Sequence, residues 1–121
     1  MAADIESLVR MMVRIHQRGV ITRDPFLQNF IRTPDGEIRF IDFGRSAILN
    51  PKNPVIIDFL GKELARFRCH AFAGDDQLYN HFHKRYFEPF PHSPAQQFLT
   101  ARIASKWYRR FVRKNYIRNV N

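Results

Sequence analysis

The chain has 121 residues, 45% of them hydrophobic and twelve of them Phe, which suffices for one domain with its own core and excludes an extended disordered segment. Twenty Lys and Arg against eleven Asp and Glu leave a net charge of +9, which points to an anionic partner such as a phosphorylated sugar lipid, a membrane surface or nucleic acid. The single cysteine, Cys69, excludes an internal disulfide, and with no secretory leader and no apolar run of about 18 residues the expected setting is the cytoplasm.

Ile5, Leu8, Met12 and Ile15 recur at steps of three and four, predicting an amphipathic helix over 1–18 that Gly19 closes with positive φ. Val20 and Ile21 suggest a very short strand. Residues 29–33 and 37–42 read as two strands joined by a Pro34-Asp35-Gly36 turn, a β-hairpin. Residues 45–54, with Asn50, Pro51, Asn53 and Pro54, read as a loop that ends in proline at the first helical position. A helix of about 18 residues follows, its apolar face made by Ile57, Leu60, Leu64, Phe67 and Ala71, with Gly74 closing it. Asp75 or Asp76 caps a helix carrying Leu78, Phe82 and Tyr86 that stops before Pro89. Ser93, Pro94 and Gln96 form a capping box opening a last helix through roughly residue 115. The expected class is α+β, mostly helical, in one domain over 1–121: a helix at 1–18, a loop and hairpin at 19–44, and a helical region at 54–115. No internal repeat, low-complexity tract or domain boundary is visible.

Two stretches carry chemistry: Thr-Arg-Asp-Pro-Phe-Leu-Gln-Asn at 22–29 and Ile-Asp-Phe-Gly at 41–44. Asp24 and Asn29 are five residues apart and Asp42 follows after thirteen more, the spacing of a catalytic loop and metal-binding segment for phosphoryl transfer. That reaction needs a carboxylate to orient and deprotonate the attacking hydroxyl, which suits Asp24, and oxygen ligands for Mg²⁺, which suit Asn29 and Asp42. Arg23 would orient the loop or a phosphate. Pro25 disfavours helical geometry at Asp24, Gly44 permits a turn past Asp42, and Phe43 can lock that turn into the core. Each residue alone has an ordinary local role, as turn cap, strand start or strand end. Their joint spacing, together with a hairpin that brings Asn29 and Asp42 to one end, points to the chemistry.

Residues 15–45 resemble the catalytic core of the protein-kinase-like superfamily, most closely the bacterial lipopolysaccharide-core kinases, through Ile-His-Gln-Arg-Gly-Val-Ile-Thr-Arg-Asp-Pro-Phe-Leu-Gln-Asn-Phe-Ile and the Asp42-Phe43-Gly44 triplet. Lys62-Glu63-Leu64-Ala65-Arg66-Phe67 is similar to a helix that follows the metal-binding motif in that family. The resemblance implies ATP- and Mg²⁺-dependent phosphorylation of a heptose or 3-deoxy-manno-octulosonic acid hydroxyl of the lipopolysaccharide core, at the inner face of the cytoplasmic membrane. It assigns Asp24 and Arg23 to catalysis, Asn29, Asp42 and Gly44 to the cofactor, and Asn29 and Asp42 to the metal. It departs from the family pattern at Thr22, where His is usual, at Arg23, where Gly is common in sugar kinases, and in having no Ala-Pro-Glu segment. No Gly-rich phosphate loop or strand lysine precedes Asp24, so the expectation is a carboxyl-terminal lobe without its amino-terminal lobe, inactive alone or completed by a partner.

After Glu88 no acidic residue occurs, while Arg102, Lys106, Arg109, Arg110, Arg113, Lys114 and Arg118 do. Leu99, Ile103, Trp107 and Phe111 recur every four residues, so 102–118 reads either as a basic helix lying on anionic lipid or as a last helix packed by its aromatic stripe. Nucleic acid is the less favoured partner, since no recognised binding module appears. Two other classes stand beside the kinase reading: a catalytically silent kinase-derived scaffold, and a basic lipid- or nucleic-acid-binding domain. His81, His83, Cys69 and His70 lack zinc-site spacing, and Cys69 reads as a core residue. Asp58 reads as a helix-start carboxylate in preference to an active-site brace.

Overall fold

A computed structural model describes residues 2–23, 29–41, 43–72, 75–89 and 93–116 of the chain. Helix α1 (Ala2–Gln17) buries Ile5, Val9, Met12 and Val13 along one stripe, with Leu8 and Ile15 half-buried at its margin. It ends at Gly19, whose φ of 80° is open to glycine and costly for other residues, and whose N–H donates to the His16 carbonyl at 2.9 Å. A Cβ at this position would lie 1.7 Å from the Leu49 carbonyl oxygen, so the glycine also lets two chain segments touch.

Four short strands follow: β1 (Val20–Ile21), β2 (Phe30–Arg32), β3 (Ile38–Phe40) and β4 (Ala47–Ile48). Strands β2 and β3 form the expected hairpin, with Phe30 opposite Phe40, Ile31 opposite Arg39 and Arg32 opposite Ile38. Both strands are shorter than the 29–33 and 37–42 expected. Gly36, at φ 83°, closes the turn, and the Thr33 N–H reaches the Glu37 carbonyl at 2.8 Å. Ser7 of α1 pins the hairpin by donating to Glu37 Oε2 at 2.8 Å and accepting from the Ile38 N–H at 2.8 Å.

Strands β1 and β4 pair antiparallel, Val20 with Ile48 and Ile21 with Ala47. This corrects the reading of 45–54 as loop throughout. A two-residue strand has no periodicity to read, and its partner is fixed by a tertiary contact, the Leu49 N–H donating to the Gly19 carbonyl at 2.8 Å.

The remainder is helical: α2 (Ile56–Ala71), α3 (Asp76–Phe87) and α4 (Pro94–Phe111), the last continued by a π-helical turn over Val112–Tyr116. Helix α2 buries Ile57, Leu60, Leu64 and Phe67 as expected, and Ile56 with them. It starts two residues later than expected, because Pro54 belongs to a turn in which the Val55 N–H donates to Asn53 Oδ1 at 3.0 Å. Gly74, its expected end, lies outside the described residues. Asp75 caps α3 by accepting from the Leu78 N–H at 3.0 Å, and Ser93 and Gln96 form the capping box of α4.

The face α4 buries differs from the expected stripe. Thr100 and Ala104 are buried, Ile103, Trp107 and Phe111 are half-buried, and Leu99 is exposed. The reason is Gly61 on α2: a Cβ there would sit 2.5 Å from Ile103 Cγ2 and 3.1 Å from the Thr100 carbonyl oxygen. Small residues on both helices let the backbones approach, and that approach selects the face. The architecture is α+β, with two small antiparallel sheets set beside a helical core. No helix among the described residues is long and apolar enough to cross a membrane.

Candidate functional site

The segment leading to Asp24 is held from beneath by one carboxylate. Glu63, fully buried on α2, accepts four hydrogen bonds, two on each oxygen. His16 Nε2 (2.5 Å) and the Thr22 N–H (3.1 Å) donate to Oε2; the Thr22 hydroxyl (2.8 Å) and the Arg23 N–H (2.7 Å) donate to Oε1. His16, also buried, sets its Nδ1 2.7 Å from the Tyr86 hydroxyl. Burial alone pushes the Glu63 carboxyl upward; the hydrogen bond and electrostatic attraction of His16, then the hydrogen bonds from the Arg23 N–H and Thr22, outweigh it and hold the carboxyl below its ordinary range. Burial, and then the charge of Glu63, keep the Tyr86 phenol protonated far above its usual value.

Arg23 carries the consequence. Its φ is 67°, left-handed for a residue with a side chain, at a cost of order 1–3 kcal/mol. The bonds to Glu63 at residues 22 and 23 enforce that conformation immediately before Asp24. The Arg23 side chain is exposed.

At the open end of the hairpin, the Ile41 N–H donates to the Asn29 carbonyl at 2.9 Å, carrying the pairing one step past Phe30 and Phe40. Asn29 and Ile41 therefore mark the open end of the hairpin. Asp24, Pro25 and Asp42 themselves lie outside the described residues. Gly44 sits in a turn closed by the Ser46 N–H on the Phe43 carbonyl at 3.0 Å. Phe43 does not lock this turn into the core: it is 47% exposed, its ring edge-on to Phe40 at 4.9 Å. It lines an open groove of about 460 Å³ with Arg14, Arg18 and Arg39, and no described element covers it.

Asp58 is exposed in the first turn of α2, the helix-start position expected for it, and the carboxylate that braces the loop is Glu63. Glu63 and His16 were visible in the sequence only as polar residues falling on apolar helical stripes, one step from Leu60 and Leu64 and from Met12. His81 is exposed, while His83 packs on Phe87 at 4.7 Å with its pKa lowered by burial and then by Arg68. Cys69 is half-buried on α2, and burial pushes its thiol pKa up. Among the described residues no three His, Cys, Asp or Glu side chains gather as a metal site.

Comparison of the chain with protein-family models, with curated proteins and with solved structures returned no match.

Proposed function

We propose that this chain is the carboxyl-terminal lobe of a kinase-like phosphotransferase that moves the γ-phosphoryl group of ATP to a sugar hydroxyl, the acceptor being a lipopolysaccharide-core sugar lipid. The observation that carries the reading is the Glu63 brace, because three of its four hydrogen bonds fix the two residues that precede Asp24 and the fourth, from His16, fixes Glu63 itself. Phosphoryl transfer relies on positioning more than on covalent chemistry, so a strained, over-determined approach to a carboxylate is what such a site requires.

Asp24 accepts the proton of the attacking hydroxyl, and Arg23 orients the loop. The donor set at the hairpin end fits a hard cation, since Asn29 offers a neutral amide oxygen and Asp42 an anionic carboxylate. Mg²⁺ held there with ATP would offset charge on the phosphates. Gly44 lets the chain turn away beside the nucleotide. The exposed cations of α4 and of the turn that continues it, Arg102, Lys106, Arg109, Arg113 and Lys114, favour work at the anionic inner face of the cytoplasmic membrane.

Calorimetry with Mg·ATP tests this reading, run on the chain and on Asp42→Asn and Asn29→Ala. Binding that is lost in both variants and on removal of Mg²⁺ is expected. Absence of binding at millimolar nucleotide would replace the reading with a kinase-derived scaffold.

A further inference from the structure

Cations gather where α2 crosses α4. Lys62 Nζ lies 4.3 Å from the centroid of the Trp107 ring, and the Arg110 guanidinium lies 5.0 Å from the same centroid. Arg66, one turn along α2 from Lys62, stands 5.7 Å from the Phe111 ring, which stacks on Trp107 at 5.6 Å and 30°. The Trp107 ring steadies Lys62 and Arg110 without neutralising them. Among the described residues Lys62 and Arg110 enter no ion pair, and the sequence holds no Asp or Glu after Glu88 with which α4 could supply one.

The crowding is felt. Burial, followed by the charges of Arg66, Arg110 and Arg23, lowers the Lys62 ammonium pKa. Arg23 links the cluster to the loop, since its backbone N–H is held by Glu63, the residue after Lys62. The same turn of α2 thus braces the approach to Asp24 on its buried side and presents fixed positive charge on its other side. Such a cluster is unfavourable by itself and is relieved by an anion carrying more than one charge. A guanidinium and an ammonium set against the same ring offer donors suited to the several oxygens of a phosphate group.

We propose that Lys62 and Arg110, with Arg66, form a binding site for a phosphomonoester or diphosphate group beside the Trp107 ring, on the turn of α2 that also braces the loop leading to Asp24. The group belongs to a phosphorylated lipid headgroup or to a soluble sugar phosphate. Its assignment to the acceptor rests on the phosphotransferase reading; the anion site does not.

Trp107 is the one tryptophan of the chain, so its fluorescence reports this site directly. The full chain is titrated with pyrophosphate and, at matched ionic strength, with sulfate and chloride. A saturable change with pyrophosphate is expected, weakened about tenfold in Lys62→Met and in Arg110→Gln and unchanged in Arg113→Gln and Asp42→Asn. Arg110 is exposed, so Arg110→Gln carries the test should Lys62→Met fail to fold. A response that follows ionic strength whatever the anion, or folded variants that titrate like the parent, would overturn the site. Glucose 6-phosphate and vesicles containing phosphatidic acid, against phosphatidylglycerol vesicles of equal charge, separate the soluble source from the lipid one, and a response to neither overturns the site. Pyrophosphate binding without Mg·ATP binding would leave the anion site and remove the acceptor; the converse would leave the phosphotransferase and remove the site.

Discussion

Glu63 is a carboxylate whose environment is complete only when it is charged. Replacing it with Gln keeps the shape but sets an amide nitrogen against two N–H or O–H donors that had an oxygen. Glu63→Gln is expected to cost roughly 3–5 kcal/mol in urea denaturation, the usual penalty for breaking a buried, fully hydrogen-bonded charge. The pH dependence has a definite sign. The folded carboxyl titrates below its ordinary value of 4.5, so its contribution is complete above that value and is lost as pH falls through the lower folded pKa. Stability measured against pH is therefore expected to drop on the acid side, and Glu63→Gln is expected to flatten that limb. The sequence showed Glu63 and His16 as interruptions of apolar stripes. It did not show that they meet, because their separation of 47 residues is closed only by the tertiary core that both helices enter. For the same reason the spacing in the sequence could suggest Asp24 and Asn29 as candidates but could not reveal that Glu63 holds Thr22 and Arg23.

Element by element, what was legible is what is decided locally. The Pro34-Asp35-Gly36 turn, the Asp75 cap and the Ser93 capping box each depend on residues within four positions, and each forms as its residues dictate. The buried face of α4 was not legible, since two stripes of the helix satisfy the same period and the choice is made by Gly61 on another helix. Gly61→Ala is accordingly expected to force α2 and α4 apart and destabilise the fold by about 1–3 kcal/mol in chemical denaturation, although alanine favours helix intrinsically. Leu99→Ser, on the exposed side, is the matched control and is expected to change stability by less than about 0.5 kcal/mol. Strand β4 escaped notice for the same reason as the α4 face: two residues carry no pattern, and the partner strand lies 27 positions away.

Across the whole molecule the acids end at Glu88. Asp4 pairs with Arg32 at 2.5 Å, Glu6 with Arg85 at 2.8 Å, Glu37 with Arg10 at 2.9 Å and Asp76 with Arg68 at 2.9 Å, so among the described residues these ion pairs fall outside the final helix. Exposed pairs of this kind contribute little to stability. Their effect is to divide the surface into a balanced part and a basic part. A different division follows from the contact between Gly19 and Leu49. The chain leaves the helical body at Val20 and re-enters it after Ile48, and the two points are clasped by one backbone hydrogen bond and a two-residue ladder. Every residue assigned to chemistry lies on that closed circuit. Amide hydrogen exchange is expected to find Leu49 and Ile41 opening together, with a lower free energy than Leu60 or Leu64 in the core. Because its entrance and exit are neighbours, such a circuit can be lengthened at its outer turns without re-routing a helix, while Ser7 and Glu63 keep it moored to α1 and α2.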